Sequence, residues 1–298
     1  MTERVATSCV CCGSVDLISS PSFLMPFISH RALGNAPVEI LPEWDLERYG
    51  FKCGIVYTRC NSLFCKKCGH LFMDLRFSDG EMSNLYSNYR DEEYVTLRDY
   101  YEPGYKNKNN NLKKGYNYVS DIEEFIRPLL NASKSFNILD WGGDTGKNTP
   151  FYDECGKLYI YDISRKISNG KANFLTSSDV EDYKYDLIVC SNVLEHVPYP
   201  LETLNKISKN MSDENILYIE LPYENLIRKF EEEGNFSDIV YNKRHWHEHI
   251  NFFTTKSIEE LVKLAGLDLI RINKLKISGE TSNYVFQVAC KIRTKIRG

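Results

Sequence analysis

The second half of this sequence alternates short apolar runs with segments of helical periodicity, and this alternation restricts its fold more than any other feature. The apolar runs are Phe136–Asp140, Leu158–Asp162, Asp186–Cys190 and Ile216–Leu221. The helical segments are Tyr118–Leu130 and Ser257–Ala265, the second of which is followed by Gly266. Strands that alternate with helices form a mainly parallel sheet covered on both faces. The last two runs, 267–277 and 284–292, lie close together, so we predict an α/β fold with an antiparallel final strand.

Composition supports a folded domain and argues against two classes of partner. Of the 298 residues, 42% are hydrophobic and 26% are charged, so a sizeable core can form. Lys and Arg number 37 against 41 Asp and Glu, and a formal charge of −4 argues against binding to nucleic-acid phosphates. No apolar stretch reaches the roughly 18 residues of a membrane helix, and the N-terminus lacks a signal-like core. We expect a cytoplasmic protein with no membrane segment.

Three stretches differ in composition and predict three domains. Residues 1–75 hold most of the ten cysteines and several prolines, which suits loops and small strands. Residues 76–115 are dense in tyrosine and predict a helical lid followed by a polar linker at 106–111. Residues 116–298 carry the alternating strands and helices and predict the main domain.

Two Cys-x-x-Cys pairs, each followed by glycine, predict a metal site in the first stretch. The four predicted ligands are Cys9, Cys12, Cys65 and Cys68. Cysteines in a reducing cytosol favour metal binding over disulfides, and four thiolates complete a closed tetrahedral zinc site that stabilises a fold. Cys11 is an alternative to Cys12, and Cys53 or Cys60 could replace another ligand. The trailing glycines favour the first set, and unliganded buried thiols remain the other interpretation.

A glycine-rich turn follows the first strand of the main domain, in the run Ile138-Leu-Asp-Trp-Gly-Gly-Asp-Thr-Gly146, and precedes a predicted helix. Glycines let the backbone turn sharply and approach a ligand closely. Asp162 ends the next predicted strand, where an acidic side chain can accept hydrogen bonds from ribose hydroxyls. Together these features predict a nucleotide-like ligand at the carboxyl edge of the sheet. The absence of Gly-x-Gly-x-x-Gly disfavours a dehydrogenase.

This turn resembles motif I of class I S-adenosylmethionine-dependent methyltransferases, and Asp186–Val197 resembles their fourth-strand motif. The resemblance covers about residues 116–298 and implies a Rossmann-like sheet that binds S-adenosylmethionine. It implies a cofactor-binding set of Asp140, Gly142, Gly143, Asp144, Gly146, Asp162, Ser191 and Asn192. In that set Asp140, Gly142 and Gly146 frame the methionine moiety and Asp162 takes the ribose. Asp144 stands where the family usually has its central glycine, so it either contacts the cofactor's ammonium group or weakens binding.

Three of the six histidines lie in one short loop, His245-Trp-His-Glu-His249. Histidine beside glutamate suits general acid–base chemistry near neutral pH. On an extended strand His245, His247 and His249 would share one face, so a metal site is an alternative, as is a structural cluster. His196 follows the fourth strand, where many methyltransferases place a residue that faces the transferred methyl group; otherwise it caps the turn before Pro198.

The cysteine module, the tyrosine-rich segment and this histidine loop resemble sugar C-methyltransferases that act on nucleotide-linked deoxysugars. The resemblance assigns proton abstraction to Glu248 and His249, and a tyrosine-bearing acceptor segment to Leu85–Tyr89. Those enzymes carry a further C-terminal domain, which we do not expect here because the sequence stops soon after its last predicted strand. O-methylation of a sugar or glycan is therefore a rival to C-methylation.

We predict an S-adenosylmethionine-dependent methyltransferase that modifies a sugar, nucleotide-sugar or glycan acceptor, as in polysaccharide biosynthesis, with structural zinc. The predicted catalytic residues are His249, Glu248, His247 and His196. The predicted acceptor-binding residues are Tyr86, Tyr89, Tyr223 and Trp246. Two alternatives are a catalytically weak protein that binds or assembles with others and, less favoured by the charge, an RNA methyltransferase.

Overall fold

The computed structural model describes residues 4–35, 58–112, 115, 117–131, 135–164, 170–234, 236–277 and 283–293. The helices are α1 (Pro26–Leu33), α2 (Asp79–Tyr86), α3 (Glu92–Tyr101), α4 (Tyr105–Leu112), α5 (Val119–Ile126), α6 (Pro200–Ser208), α7 (Asn225–Glu233), α8 (Phe236–Asn242) and α9 (Thr255–Leu264). The strands are β1 (Leu17–Leu24), β2 (Thr58–Cys65), β3 (Leu71–Met73), β4 (Asn137–Trp141), β5 (Lys157–Tyr161), β6 (Ala172–Leu175), β7 (Leu187–Ser191), β8 (Ile216–Pro222), β9 (His245–Trp246), β10 (Asn251–Phe252), β11 (Leu267–Ile277) and β12 (Asn283–Ile292). None of the helices in these ranges is long and apolar enough to cross a membrane.

The larger sheet has seven strands in the order β11-β12-β8-β7-β4-β5-β6. Strands β6, β5, β4, β7 and β8 are parallel neighbours. Strand β12 runs antiparallel between β8 and β11. The strand order reverses between β4 and β7, so a crevice forms at their carboxyl ends, where open α/β sheets bind ligands.

Alternate residues of each strand point to opposite faces of this sheet, and both faces are buried. Ile138, Leu158 and Leu187 pack in one cluster with Ile122 and Phe125 of α5. The intervening residues pack in a second cluster with α6 and α9; these are Leu139, Tyr159, Ile188, Leu217 and Phe286. The α/β, Rossmann-like prediction is therefore confirmed, including the antiparallel final strand.

Some local predictions were wrong. Residues 147–154, expected to begin a helix after the glycine turn, form successive turns before β5. The predicted polar linker at 106–111 is helix α4. Asp99 accepts hydrogen bonds from the backbone N–H groups of Gly104 and Lys106 at the start of α4, at 3.1 and 2.8 Å. Because Tyr105 packs under the Arg98 guanidinium, 4.0 Å from its ring centre, tertiary contact favours a helix that composition alone does not. Strand β6 was not predicted.

The N-terminal stretch forms a second sheet of five strands in the order β10-β3-β2-β1-β9. Strands β1, β2 and β3 form an antiparallel meander. The two outer strands come from residues 245–252, far along the chain. Strand β9 pairs with β1, and β10 pairs with β3. Residues 245–252, which we call the strap, thus cover both edges of the N-terminal sheet.

The strap is also bonded to the loop that follows β7. The backbone N–H groups of Ile250 and Asn251 donate to the Glu195 carbonyl, at 2.8 and 3.1 Å. The buried Asn251 side chain donates to the carbonyls of Leu194 and Val197, at 3.0 and 2.7 Å. The strap therefore joins the N-terminal sheet to the crevice of the larger sheet.

Replacement of Asn251 by alanine is expected to destabilise the fold by about 1–3 kcal/mol, since it leaves two buried carbonyls without donors. Urea unfolding followed by circular dichroism measures the change. Asn210→Ala is the matched control, because its amide donates to a carbonyl at an exposed helix end; we expect a change within about 0.5 kcal/mol. Equal effects of the two substitutions would contradict this role of Asn251.

Candidate functional site

A cavity of about 840 Å³ lies at the carboxyl edge of the larger sheet, beneath α2 and α3. Its volume falls within the roughly 300–1,000 Å³ typical of small-molecule sites. One end is lined by the glycine turn after β4 and by Asp162. The other end is lined by Tyr86, Glu195, His196 and His249. We call these the cofactor end and the acceptor end.

The glycine turn approaches its surroundings too closely for side chains. Gly142 has φ +82°, and a Cβ atom there would lie 2.4 Å from Cγ2 of Val193. A Cβ atom at Gly143 would lie 2.5 Å from Cγ of Asp140. The Gly142 N–H donates to the Tyr161 carbonyl at 2.7 Å, which ties the turn to β5. Gly146 does not line the cavity; it packs against Ile160 of the same strand.

Asp140 is buried at the base of the cofactor end, where Thr149 Oγ1 donates to its carboxylate. Burial raises its pKa to about 7, and the neighbouring Asp162 and Asp144 carboxylates act in the same direction. A ligand with a positive charge would stabilise the ionised form. The cofactor end is therefore suited to the cationic methionine moiety of S-adenosylmethionine.

Asp144 adopts the left-handed conformation of the glycine that it replaces, with φ +48°. Aspartate tolerates this conformation better than most residues. Its backbone N–H donates to Asp162 Oδ2 at 2.8 Å, and the Ser164 N–H donates to Asp162 Oδ1 at 2.7 Å. The turn and the backbone at Ser164 thus hold the Asp162 carboxylate, and Asp162 lines the cavity.

Ser191 and Asn192 line the cavity, but their side chains are held from behind by Glu220. Glu220 Oε1 accepts from Ser191 Oγ at 3.0 Å, from Asn192 Nδ2 at 2.9 Å and from Tyr118 Oη at 2.9 Å. Tyr218 donates to the other carboxylate oxygen at 2.8 Å. Glu220 therefore fixes the loop after β7, which carries Asn192 at φ +54°.

The structure pairs His249 with Glu224 rather than with Glu248. Nδ1–H of His249 donates to Glu224 Oε1 at 2.8 Å, so in the neutral form of the ring Nε2 carries the lone pair. Burial acts to raise the pKa of Glu224, but the hydrogen bond and charge of His249 hold it below its ordinary value. The Glu248 carboxylate also lines the cavity, where Arg98 forms an ion pair with it and Tyr94 donates at 3.2 Å.

His196 and Glu195 lie beside His249. The His196 and His249 rings are 4.8 Å apart, and Nδ1–H of His196 donates to the Glu248 carbonyl at 3.1 Å. Burial lowers the pKa of His196 well below its ordinary value, so the ring is neutral. Burial raises the pKa of Glu195 to about 7, although the charge of His249 opposes this. Neither carboxylate oxygen of Glu195 has a hydrogen-bond partner among the described residues.

The remaining predicted residues divide between the cavity and other places. Tyr86 and Tyr89 line the cavity, with rings 5.3 Å apart. Trp246 is fully buried in the strap and donates to Ser62 of β2 at 2.9 Å. Tyr223 donates to Glu231 at 2.7 Å, and His247 pairs with Glu102 at 2.9 Å. Trp246, Tyr223 and His247 are not among the residues that line the cavity.

The four predicted cysteine ligands converge at one point beside the N-terminal sheet. The Sγ atoms of Cys9 and Cys68 are 3.7 Å apart, and those of Cys12 and Cys65 are 3.6 Å apart. All four sulfurs lie within 4.8 Å of one another. Four thiolates at about 2.3 Å from a tetrahedral zinc ion would be about 3.8 Å apart, so the cluster fits zinc.

The alternative cysteines are placed differently. Cys11 Sγ donates to the Ser257 carbonyl of α9 at 3.2 Å, and Cys60 contacts Ser22 at 3.4 Å. Cys53 lies outside the described residues. We call each Cys-x-x-Cys pair a knuckle. The glycine after each knuckle donates its N–H to the carbonyl of the first cysteine, as Gly13 does to Cys9 and Gly69 to Cys65, both at 2.8 Å. The trailing glycines are therefore part of the knuckle geometry.

Three acidic residues and one arginine at the site were not predicted from the sequence. Glu195 stood inside the Leu-Glu-His motif but was not singled out. Glu220 and Glu224 lie at the end of β8 and just after it, where the carboxyl edge of a parallel sheet meets the crevice. That position was the available signal for both. Nothing in the pattern of α3 indicated that Arg98 would pair with Glu248.

Comparison with known proteins identifies the family of this chain. The profile of a family described as a methyltransferase domain matches residues 107–272, more than half of the chain. No curated protein matches the chain in sequence.

Two solved structures illustrate the similarity. One is the 1,6-didemethyltoxoflavin-N1-methyltransferase of Burkholderia thailandensis with bound 1,6-didemethyltoxoflavin and S-adenosylhomocysteine. It is 13% identical, with 67% of this chain and 89% of that chain covered and a TM-score of 0.46. The other is the magnesium protoporphyrin IX methyltransferase of Synechocystis PCC 6803 with S-adenosylhomocysteine. It is 14% identical, with 59% and 82% covered and a TM-score of 0.40.

At these identities the substrates of the two structures carry no information about the acceptor of this chain. The profile match runs from within α4 to within β11, and it includes the glycine turn, Asp162, Glu195, His196 and His249 but not Tyr86 or Tyr89. The chain belongs to the methyltransferase domain family and is an S-adenosylmethionine-dependent methyltransferase.

Proposed function

We propose that this enzyme transfers a methyl group to a sugar, a nucleotide-linked sugar or a glycan, with His249 as the proton acceptor. The observation that carries the proposal is the pair formed by His249 and Glu224 at the acceptor end of a cavity whose other end fits the cofactor. Asp140, Asp162 and the glycine turn would hold S-adenosylmethionine. Asp144 would contribute its backbone shape and its contact with Asp162.

When bound, S-adenosylmethionine supplies a methyl group on a sulfonium; its carbon–sulfur bond breaks, and the electron pair stays on sulfur as the methyl group joins the acceptor. The protein's work is to align the acceptor and to take its proton. Nε2 of His249 takes that proton, and Glu224 stabilises the resulting imidazolium through Nδ1–H. Glu248 takes a positioning role in this scheme, because Arg98 and Tyr94 hold its carboxylate.

The lining of the acceptor end supports a sugar-linked acceptor. Tyr86 and Tyr89 offer aromatic faces for C–H groups, and the buried Tyr86 hydroxyl has no partner in the described part of the chain. Two cations of the lid, Arg90 and Lys108, line the same cavity and suit phosphate groups. These features support either oxygen or carbon as the methylated atom.

Incubation with isotopically labelled S-adenosylmethionine and a panel of nucleotide sugars and glycans tests this function. Mass spectrometry is expected to detect a product heavier by one labelled methyl group. For a carbonyl-bearing acceptor, deuterium uptake next to the carbonyl would identify carbon as the target. If no sugar-linked compound is methylated while another class of small molecule is, the acceptor class is wrong.

The substitution His249→Ala is expected to lower turnover by about tenfold or more, the lower end of what a positioned base contributes. Cofactor affinity, measured by isothermal titration, should stay near that of the parent protein. His245→Ala is the control, because His245 is an exposed strap residue that does not line the cavity. Unchanged turnover in His249→Ala would remove this loop from the chemistry.

Cofactor affinity is expected to fall about tenfold between pH 8 and pH 6. The pKa of Asp140 is raised to about 7, so its carboxyl is mostly ionised at pH 8 and mostly protonated at pH 6. Because a cationic ligand favours the ionised form, binding at low pH must first remove a proton. Titration calorimetry with S-adenosylmethionine measures the dependence. Asp140→Asn should bind S-adenosylmethionine more weakly at pH 8 and should lose most of the pH dependence. An unchanged pH dependence in this variant would contradict the role of Asp140.

We also propose that the four-cysteine cluster binds structural zinc, which would join the knuckles on either side of β1 and β2. Four thiolates leave no open coordination position, so this site would have no part in methyl transfer. Thr254 at the start of α9 donates to the Cys68 carbonyl at 3.1 Å, so the cluster also touches the larger domain. The division into domains at residues 75 and 115 remains part of this proposal, as does a location in the cytoplasm.

Elemental analysis is expected to find at least one zinc ion per chain, of which one is held by the four cysteines. Cys12→Ser should lose the zinc ion of the cysteine cluster and unfold at a lower denaturant concentration. Its free energy of unfolding should fall by about 3 kcal/mol or more, because metal binding is coupled to folding. Cys11→Ser is the matched control and should retain zinc, since Cys11 faces α9. Retention of zinc by Cys12→Ser together with its loss from Cys11→Ser would reverse the ligand assignment.

A further inference from the structure

Three potential metal ligands converge at the acceptor end, away from the cysteine cluster. A carboxylate oxygen of Glu195 and one ring nitrogen each of His196 and His249 lie within 4.8 Å of one another. His196 Nε2 is 3.7 Å from Glu195 Oε1. All three side chains line the cavity, and Glu195 is 1% exposed. Two imidazoles and one carboxylate thus meet at a single point that is open to a ligand.

The hydrogen bonds of the two rings determine which nitrogens carry lone pairs. A carbonyl and a carboxylate accept hydrogen bonds, so the Nδ1 atoms facing Glu248 O and Glu224 Oε1 must be protonated. In neutral rings Nε2 is then the acceptor. Neither oxygen of Glu195 receives a hydrogen bond from the described residues. With both rings neutral and Glu195 ionised, each of the three side chains therefore offers an acceptor atom, and one ligand atom of each lies within 4.8 Å of the others.

A buried cluster of acceptors is unfavourable unless something positive lies among them. A hydroxyl group of the methyl acceptor can donate only one hydrogen bond, so two of the three atoms would still have no donor. A metal cation contacts all three. In addition, both histidines already have the outer partners that metal-binding histidines usually have, a backbone carbonyl for His196 and a carboxylate for His249.

We propose that Glu195, His196 and His249 bind one divalent transition-metal cation. Imidazole nitrogen with carboxylate oxygen suits Zn²⁺, Mn²⁺, Fe²⁺ or Co²⁺, whereas Mg²⁺ and Ca²⁺ favour sites made of oxygen alone. Ligands at about 2.1 Å from a cation lie about 3.0–3.4 Å apart. The Glu195 carboxylate, which has no hydrogen bond to break, closes the gap.

The cation site goes beyond the proposed function, because metal binding can occur and be measured without an acceptor. It also gives His249 a second task. Nε2 cannot hold a proton and a metal at the same time, so His249 accepts protons only in the cation-free protein. In the cation-loaded protein, an oxygen of the methyl acceptor that bound the cation would have its pKa lowered.

Titration of the full-length protein with Co²⁺, followed by absorption spectroscopy and calorimetry, tests the site. Cobalt bound by thiolates gives intense charge-transfer absorption, whereas cobalt bound by nitrogen and oxygen gives weak visible bands. The spectra thus separate the acceptor end from the cysteine cluster. The variants are Glu195→Gln, which keeps the shape and removes the charge, and His196→Gln. The control is His245→Gln, which alters a histidine of the same loop that lies outside the cluster.

We expect one equivalent of Co²⁺ with nitrogen and oxygen ligands, and an affinity at least tenfold weaker in Glu195→Gln and His196→Gln. His245→Gln should bind as the parent does. Absence of this signal in the parent protein, or equal affinity in all four proteins, would overturn the cation site. Glu224→Gln is a further variant, since it removes only the outer partner of His249 and should weaken binding to a smaller extent. Loss of the cation site would leave the His249→Ala turnover test of the base unaffected.

Discussion

The strap is the constraint on which the site depends. Residues 245–252 complete both edges of the N-terminal sheet and also bond to the loop after β7. The backbone N–H groups of two strap residues converge on the carbonyl of Glu195, whose side chain lines the cavity. The position of His249 relative to His196 is therefore determined by β-sheet pairing on one side and by loop hydrogen bonds on the other. A site assembled in this way requires the N-terminal module to be folded.

Two buried glutamates beside the cavity have opposite environments. Glu220 accepts hydrogen bonds from four side chains and so holds the loop after β7 in place. Glu195, on that same loop, has none from the described residues. A satisfied buried carboxylate contributes to structure, whereas an unsatisfied one in a cavity indicates a ligand. The chain thus places a fully hydrogen-bonded buried glutamate near the buried glutamate that we propose binds a cation.

Sequence reasoning was most successful where local pattern determines structure. The strands around Leu139 and Ile188, the glycine turn and the two cysteine knuckles follow from periodicity and spacing. Partners across the fold were less accessible. His249 pairs with Glu224 and not with its neighbour in sequence Glu248, and this pairing depends on how the strap packs against the segment after β8, which no local pattern predicts. Trp246 is a similar case. Glu248, two residues later, lines the cavity, whereas the Trp246 indole is buried and donates a hydrogen bond to Ser62 of β2.

The order in which the two edges of the N-terminal sheet are covered has a consequence during synthesis. Strands β1 and β3 leave the ribosome well before residues 245–252, so their outer hydrogen-bonding groups stay exposed while most of the larger domain is made. Exposed strand edges are templates for pairing with other chains. The nascent polypeptide is therefore most prone to aggregate in the interval before the strap emerges, and a truncation that ends ahead of residue 245 would prolong that interval indefinitely.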